Sequence, residues 1–268
     1  GNREFLVAIL LSGVFAWVAI VFSYLLEIPL HFRAYEANIW FLAGGFLFGL
    51  GTAVNQGCGV STLNRLSSGE SKMVATLVGW FLGWMILTNW HPQIVLIEKP
   101  IPETVIYGGL ISISVVLSVW VYRGNKIRRK LWLSVMGIGT LAGFLFLFEP
   151  QWTPSGLLKN LNDAIFFDSD WPSIERYLLF LGLILGMFIS AWRRGKFVLR
   201  KSNPKDWLLH LSAGTLMGIG ASIALGGNDT QLLLALPTFS PAGLIAVLGM
   251  LIGIWLGLLL KKLFYFKN

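Results

Sequence analysis

The chain has 268 residues, of which 55% are hydrophobic and 13% charged, and its mean hydropathy is +0.70. Soluble domains carry about 25% charged residues, so the composition excludes an ordinary water-soluble protein. The formal net charge of +8 would suit a nucleic-acid partner, but the placement of the charges argues against one.

Apolar stretches of roughly 20 residues, the length of a bilayer crossing, recur near 5–26, 39–57, 72–90, 104–122, 131–148, 176–192, 207–226 and 241–260. They predict an all-α integral membrane protein with about eight transmembrane helices, built as one polytopic domain over residues 1–268. No A-x-A-like site follows the first stretch, which therefore reads as a span rather than a signal peptide. Between spans the charge alternates. Arg123, Lys126, Arg128, Arg129 and Lys130 fill one loop, and Arg193, Arg194, Lys196, Arg200, Lys201 and Lys205 fill another. The intervening loops carry Glu98 and Glu103, then Glu149, Asp163, Asp168, Asp170 and Glu175. Excess Lys/Arg marks cytoplasmic loops. The rule places both termini, Arg65 and Lys72 on the cytoplasmic side of the membrane, with no nucleic-acid role.

The second and seventh stretches are written alike. Gly45, Gly49, Gly51 and Gly57 match Gly214, Gly218, Gly220 and Gly226 at one constant offset, and after a one-residue insertion Gly79 and Gly83 match Gly249 and Gly253. Repeat 1 covers about 38–90 and repeat 2 about 207–260. The loop charges make the first ladder run outward to inward and the second inward to outward, so the copies are inverted. Paired Gly-interrupted segments in two inverted halves point to a transporter's substrate site at the repeat interface. The bland reading of Gly45, Gly49, Gly214 and Gly218 is close helix packing.

Each ladder ends in a polar break, broken or re-entrant. The first offers Asn55, Gln56, Gly57, Cys58, Gly59 and Ser61, and the second Gly226, Gly227, Asn228, Asp229 and Thr230. These are the candidate substrate-binding residues. Irregular backbone at membrane depth is tolerated where it is buried in protein or lines a cavity. Gly57 and Gly59 free backbone N–H groups for a ligand, and Ser61 or Thr62 can cap a helix whose N-terminus attracts anions. Cys58 brings a soft, weakly donating thiol, although a lone cysteine is more often a small hydrophobe. Asp229 is an intramembrane acid and hence a functional candidate; alternatively Asn228 or Asp229 caps a short helix through Leu236 that Pro237 ends.

The remaining motifs are quieter. The 12 tryptophans mostly fall near span ends and read as an interfacial belt. Residues 154–167 form an amphipathic segment expected on the outer surface. One cysteine allows neither an internal disulfide nor a thiolate metal site. His31, His91 and His210 lack metal-ligand spacing, and no nucleotide loop, nucleophile elbow or catalytic dyad is visible. No metal, cofactor or enzymatic activity is expected.

Gly57-Cys58, followed by Arg65-Leu66-Ser67-Ser68-Gly69 within GFLFGLGTAVNQGCGVSTLNRLSSGESKMVATLVGWFLG, resembles the YeeE/YedE family of bacterial inner-membrane proteins. GTLMGIGASIALGGN carries the same pattern up to the cysteine. The resemblance implies import of thiosulfate or a related small sulfur anion by an hourglass-shaped protein in which several cysteines relay the ion. It also implies partners of two kinds, a second half-transporter or a soluble sulfur-carrier protein. Here the second Gly-Cys pair is replaced by Gly226-Gly227, so one chain holds no relay of thiols. The expectation that follows is that Gly227→Cys would restore a sulfur opposite Cys58, and that Asp229→Asn would help an anion pass. The alternatives are a transporter or channel for another small anion and a membrane subunit that docks a soluble sulfurtransferase.

Overall fold

The computed structural model describes residues 3–29, 34–88, 96–99 and 101–265, so His31, Trp90 and His91 lie outside it. Its helices are α1 (Arg3–Leu10), α2 (Trp17–Leu26), α3 (Ile39–Asn55), α4 (Gly59–Ser67), α5 (Met73–Thr88), α6 (Glu103–Tyr122), α7 (Lys126–Phe148), α8 (Pro154–Phe166), α9 (Ile174–Arg193), α10 (Pro204–Ile223), α11 (Asn228–Thr230) and α12 (Pro241–Tyr265). A 3₁₀ turn, Ser12–Ala16, joins α1 to α2, and a wider π turn, Gln231–Ala235, follows α11. Side-chain caps start several helices: Asn38 accepts from Trp40 and Phe41 N–H groups, Asn125 from Arg128, and Thr153 from Gly156. Each satisfies a backbone donor that a helix start leaves open. Among the described residues, extended pairing is limited to two isolated bridges, Tyr35 with Glu98 and Glu70 with Arg200. The protein is an all-α membrane protein.

Within the described residues each expected apolar stretch is largely helical, but length and composition qualify fewer of them as crossings. Among the described residues five spans are long and apolar enough, one of them α3 and α4 taken together (Ile39–Ser67), and counting each of two bent pairs as one span raises the number to seven. The bent pairs are Glu4–Leu10 with Ser12–Leu26 and Pro204–Ile223 with Asn228–Ala235, while Met73–Leu87 is apolar but short. The shortfall from eight comes from that short helix.

The chain divides into two compact units. The first comprises Gly1–Ala37, Leu96–Pro150 and Thr230–Leu244. Its core gathers Ala8, Val14, Phe15, Leu117, Val121, Trp132 and Val135. Gly139 lets the Ser12 carbonyl touch α7, and Trp17 Nε1 donates to Ser114 Oγ at 3.0 Å.

The second unit comprises Asn38–Val95, Gln151–Asp229 and Ile245–Asn268, and it contains both glycine ladders. A Cβ on Gly45 would strike the Ala246 carbonyl, and one on Gly214 would strike the Thr76 carbonyl. One turn on, Gly49 abuts Met250 O as Gly218 abuts Trp80 O. From the facing helices, Gly249 abuts Leu42 O as Gly79 abuts Leu211 O. So α3 packs on α12 as α10 packs on α5, through the same backbone-to-backbone approach that only small residues permit. Between the copies, Gly44 meets Gly220 O while Gly51 meets Ala213 O. Rising numbers in α3 face falling numbers in α10, which makes the two helices antiparallel, as inverted copies require.

The tryptophan belt does not extend to every tryptophan. Trp80 and Trp132 are fully buried and Trp84 nearly so. Trp80 joins Phe48, Met217, Ala221 and Met250 in the core between the ladders.

Candidate functional site

The breaks keep the repeat in their backbone. Gln56 holds a left-handed conformation at φ 61°, and Leu225, its counterpart in the second copy, holds φ 60°. A residue there ends the helix and turns the chain, and the Gly57 N–H returns to the Thr52 carbonyl at 3.0 Å as the Gly226 N–H returns to Ala221 at 2.7 Å. After each turn a new helix begins, α4 at Gly59 and α11 at Asn228. These two residues touch: the Gly59 N–H donates to Asn228 Oδ1 at 3.2 Å, across 169 residues, which is the repeat offset itself.

Around that contact the two breaks differ in access. Gln56 is exposed and Gly57, Cys58 and Ser61 are half-buried, whereas Gly226, Gly227, Asn228 and Asp229 are buried and Thr230 is half-buried. The first break is the open one.

Asn55 is the hub of the first break and is wholly buried. Its Nδ2 donates to the Gly57 carbonyl and to Thr62 Oγ1, each at 2.8 Å. Its Oδ1 accepts from Thr76 Oγ1 at 2.8 Å and meets His210 Nδ1 at the same distance. The carbonyl partner fixes which end of the amide is nitrogen, so His210 carries a proton on Nδ1. All four hydrogen-bonding positions of the amide are taken by the protein. Asn55 therefore shapes the break rather than offering its side chain to a solute.

Cys58 occupies the N-cap of α4 in extended backbone, and its thiol is free. Its carbonyl accepts from Thr62 N, Thr62 Oγ1 and Ser61 Oγ at 2.9, 3.0 and 2.9 Å. Ser61 is thus a brace for the turn. Arg65, one turn further on, reaches back: its NH1 donates to the Asn55 carbonyl at 2.8 Å. The same guanidinium pairs with Glu70 through Nε at 3.0 Å and NH2 at 2.7 Å. Burial alone would raise the Glu70 carboxyl, but the hydrogen bond and charge of Arg65, with Lys72 and Arg200 adding charge, hold it below its usual value. A helix N-terminus and a guanidinium give the first break positive character.

The second break is built to be filled. The carboxylate of Asp229 accepts from the Ser155 N–H at 2.9 Å and from Ser155 Oγ at 2.7 Å. Asp229 therefore caps the start of α8, which lies 74 residues away in the chain. The first turn of α8, with Pro154, Ser155 and Leu157 buried, is packed into the protein, while Ile165 and Phe166 at its far end are exposed. Gly227 is not a vacant thiol position. A Cβ there would lie 2.8 Å from Asp229 Oδ1, 2.9 Å from Trp80 Cζ2 and 3.3 Å from Phe48 Cε2. A side chain there therefore requires Trp80 or the Asp229 carboxylate to shift.

Glycine spacing and the Gly-Cys pair pointed to both breaks. Thr76, Trp80 and His210 were missed, since each lies in an apolar helix and meets the breaks through partners far along the chain. For Arg65 a signal existed, a basic residue two turns beyond the cysteine, but it was read as topology and as part of the family pattern rather than as a site residue.

A family model described as sulphur transport matches the chain over residues 1–122 and again over 95–256. The thiosulfate transporter TsuA of Escherichia coli is 24% identical over 261 residues, covering 79% of this chain and 71% of that protein. The thiosulfate transporter TsuA of Spirochaeta thermophila is 31% identical over 120 residues, covering 44% of this chain and 32% of that protein.

Proposed function

This chain belongs to the sulphur transport family, and on that premise we propose that it moves a small sulfur-containing anion, thiosulfate first among them, across a bacterial inner membrane. The observation that carries the reading is the first break: a free, half-buried thiol at the N-cap of α4, beside a guanidinium that reaches back to the same turn. Thiosulfate has a soft terminal sulfur and a charged oxygen end. Cys58 suits the first as a weak S–H donor, and the positive helix end with Arg65 suits the second. The path runs between the two breaks near the membrane midplane, where Gly57, Gly59, Gly226, Gly227, Asn228 and Thr230 form its backbone walls. Asn55, Ser61 and Asp229 hold those walls in shape, and Gln56 stands at the open side.

The chain works as a transporter rather than an enzyme, with both termini in the cytoplasm by the loop-charge rule. A second subunit or a soluble sulfur carrier supplies any further thiols.

Uptake of radiolabelled thiosulfate into liposomes holding only this protein tests the reading. The wild type accumulates the label, and Cys58→Ala loses at least a weak hydrogen bond to the ion, lowering uptake by about fivefold or more. Undiminished uptake by Cys58→Ala would remove the thiol from the mechanism. A wild type that transports other small anions but not thiosulfate would overturn the substrate. A wild type inert alone would favour a docking subunit.

A further inference from the structure

Trp80 lies where the two breaks meet. Its Cη2 and Cζ3 atoms fill the space that a side chain at residue 59 would need, and its Cζ2 sits 2.9 Å from where a Cβ on Gly227 would stand. The indole is wedged between the start of α4 and the second break, with Phe48 against it edge-on at 6.0 Å between ring centroids. It is fully buried, yet its Nε1–H has no hydrogen-bond acceptor among the described residues. Buried donors are almost always paired, and an indole N–H placed in an apolar core normally finds a partner. Nε1 and Cζ2 share one bonded neighbour, Cε2, so the orphaned donor lies on the ring edge that faces Gly227.

We propose that Trp80 Nε1–H is a substrate-binding donor, giving a hydrogen bond to an oxygen of the sulfur oxyanion as the ion passes the junction of the breaks. The assignment rests on the transport reading above and divides the ion's chemistry between two residues. Cys58 meets the soft sulfur, and Trp80 reads the oxygen end. It gives a reason for glycine at both 59 and 227, because a side chain at either would displace the ring. It also makes Trp80 a specificity residue, since a sulfur species without oxygen has no comparable acceptor to offer.

Trp80→Phe keeps a ring in the wedge and deletes the donor. A hydrogen bond to a charged group is worth about tenfold or more in affinity, so KM for thiosulfate uptake in proteoliposomes rises by about that factor while Vmax stays within about twofold. In the wild type labelled with [15N]tryptophan, thiosulfate moves one indole N–H resonance downfield. Phe48→Leu identifies it, because loss of the neighbouring ring current shifts Trp80. If Trp80→Phe does not fold, the wild-type titration decides alone. An unchanged KM in Trp80→Phe, or a Trp80 resonance unmoved by saturating thiosulfate in a wild type that transports it, overturns the assignment and leaves the function intact. Absence of wild-type thiosulfate uptake overturns both.

Discussion

Gln56 and Leu225 share one backbone conformation, φ 61° and 60°, at matching points of two sequences that differ in nearly every side chain around them. Neither is glycine, and a non-glycine residue in the left-handed region carries strain. The turn is retained because the geometry it creates, a helix that stops and restarts at a new angle, is common to both copies.

That strain sets an order among substitutions. β-Branched residues tolerate the left-handed region least, so Gln56→Ile and Leu225→Ile each lower stability by about 1–3 kcal/mol. Gln56→Gly stays within about 1 kcal/mol, because relief of strain and loss of unfolded-chain restriction offset each other. Thermal unfolding in detergent measures both. Equal effects of Ile and Gly at residue 56 would show that the turn is not a constraint.

The glycine ladders and the open glycines make a second contrast. Gly45→Ala and Gly214→Ala drive a methyl into a backbone carbonyl of the facing helix and each costs about 1–3 kcal/mol by overpacking. Gly182 on α9 has nothing within 4 Å of an added Cβ, so Gly182→Ala is neutral or stabilising by about 0.5–1 kcal/mol. A common response from all three would contradict the packing described.

Asp229→Asn separates capping from anion repulsion. The sequence alone suggested that removing this charge would help an anion pass. With both carboxylate oxygens bonded to Ser155, the variant instead loses charge-assisted bonds worth about 1.5–3 kcal/mol. It frees the first turn of α8, which becomes sensitive to protease or to labelling of a cysteine introduced at Leu157. Faster uptake with α8 still protected would restore the repulsion reading.

Glu70 supplies a pH signature. Its carboxyl is held below the ordinary value in the fold by Arg65, Lys72 and Arg200. A depressed carboxylate adds stability above its unfolded value, about 4.3, and that stability is lost as pH falls through the folded value. Glu70→Gln removes this contribution, so the variant is less stable than the wild type at neutral pH and the two converge in acid. Parallel acid-unfolding curves would show that the pair with Arg65 is energetically silent.

Much of the molecule was legible in the sequence, for a physical reason. Glycine spacing reports backbone approach directly, and the offset between ladders therefore announced both the inverted helices and the places where they break. The partners inside the breaks were not legible. His210 meets Asn55 across 155 residues, and Ser155 meets Asp229 across 74. Nothing in an apolar helix marks which of its few polar residues will close such a pair. Trp80 was hidden for the opposite reason: as one of 12 tryptophans in a membrane protein, it looked like part of an interfacial belt.

The bond from Gly59 to Asn228 joins positions related by the repeat offset, and so it lies where the two halves are their own neighbours. Two copies of the first half would set glycine against glycine there, with an N–H on each side and no amide oxygen to accept it. The acceptor is a departure of the second copy from the first. A symmetric dimer of the first half would lose that contact, together with the difference between an open break and a filled one. For this protein, duplication supplied the frame, and departure from symmetry supplied the bond that joins its two breaks.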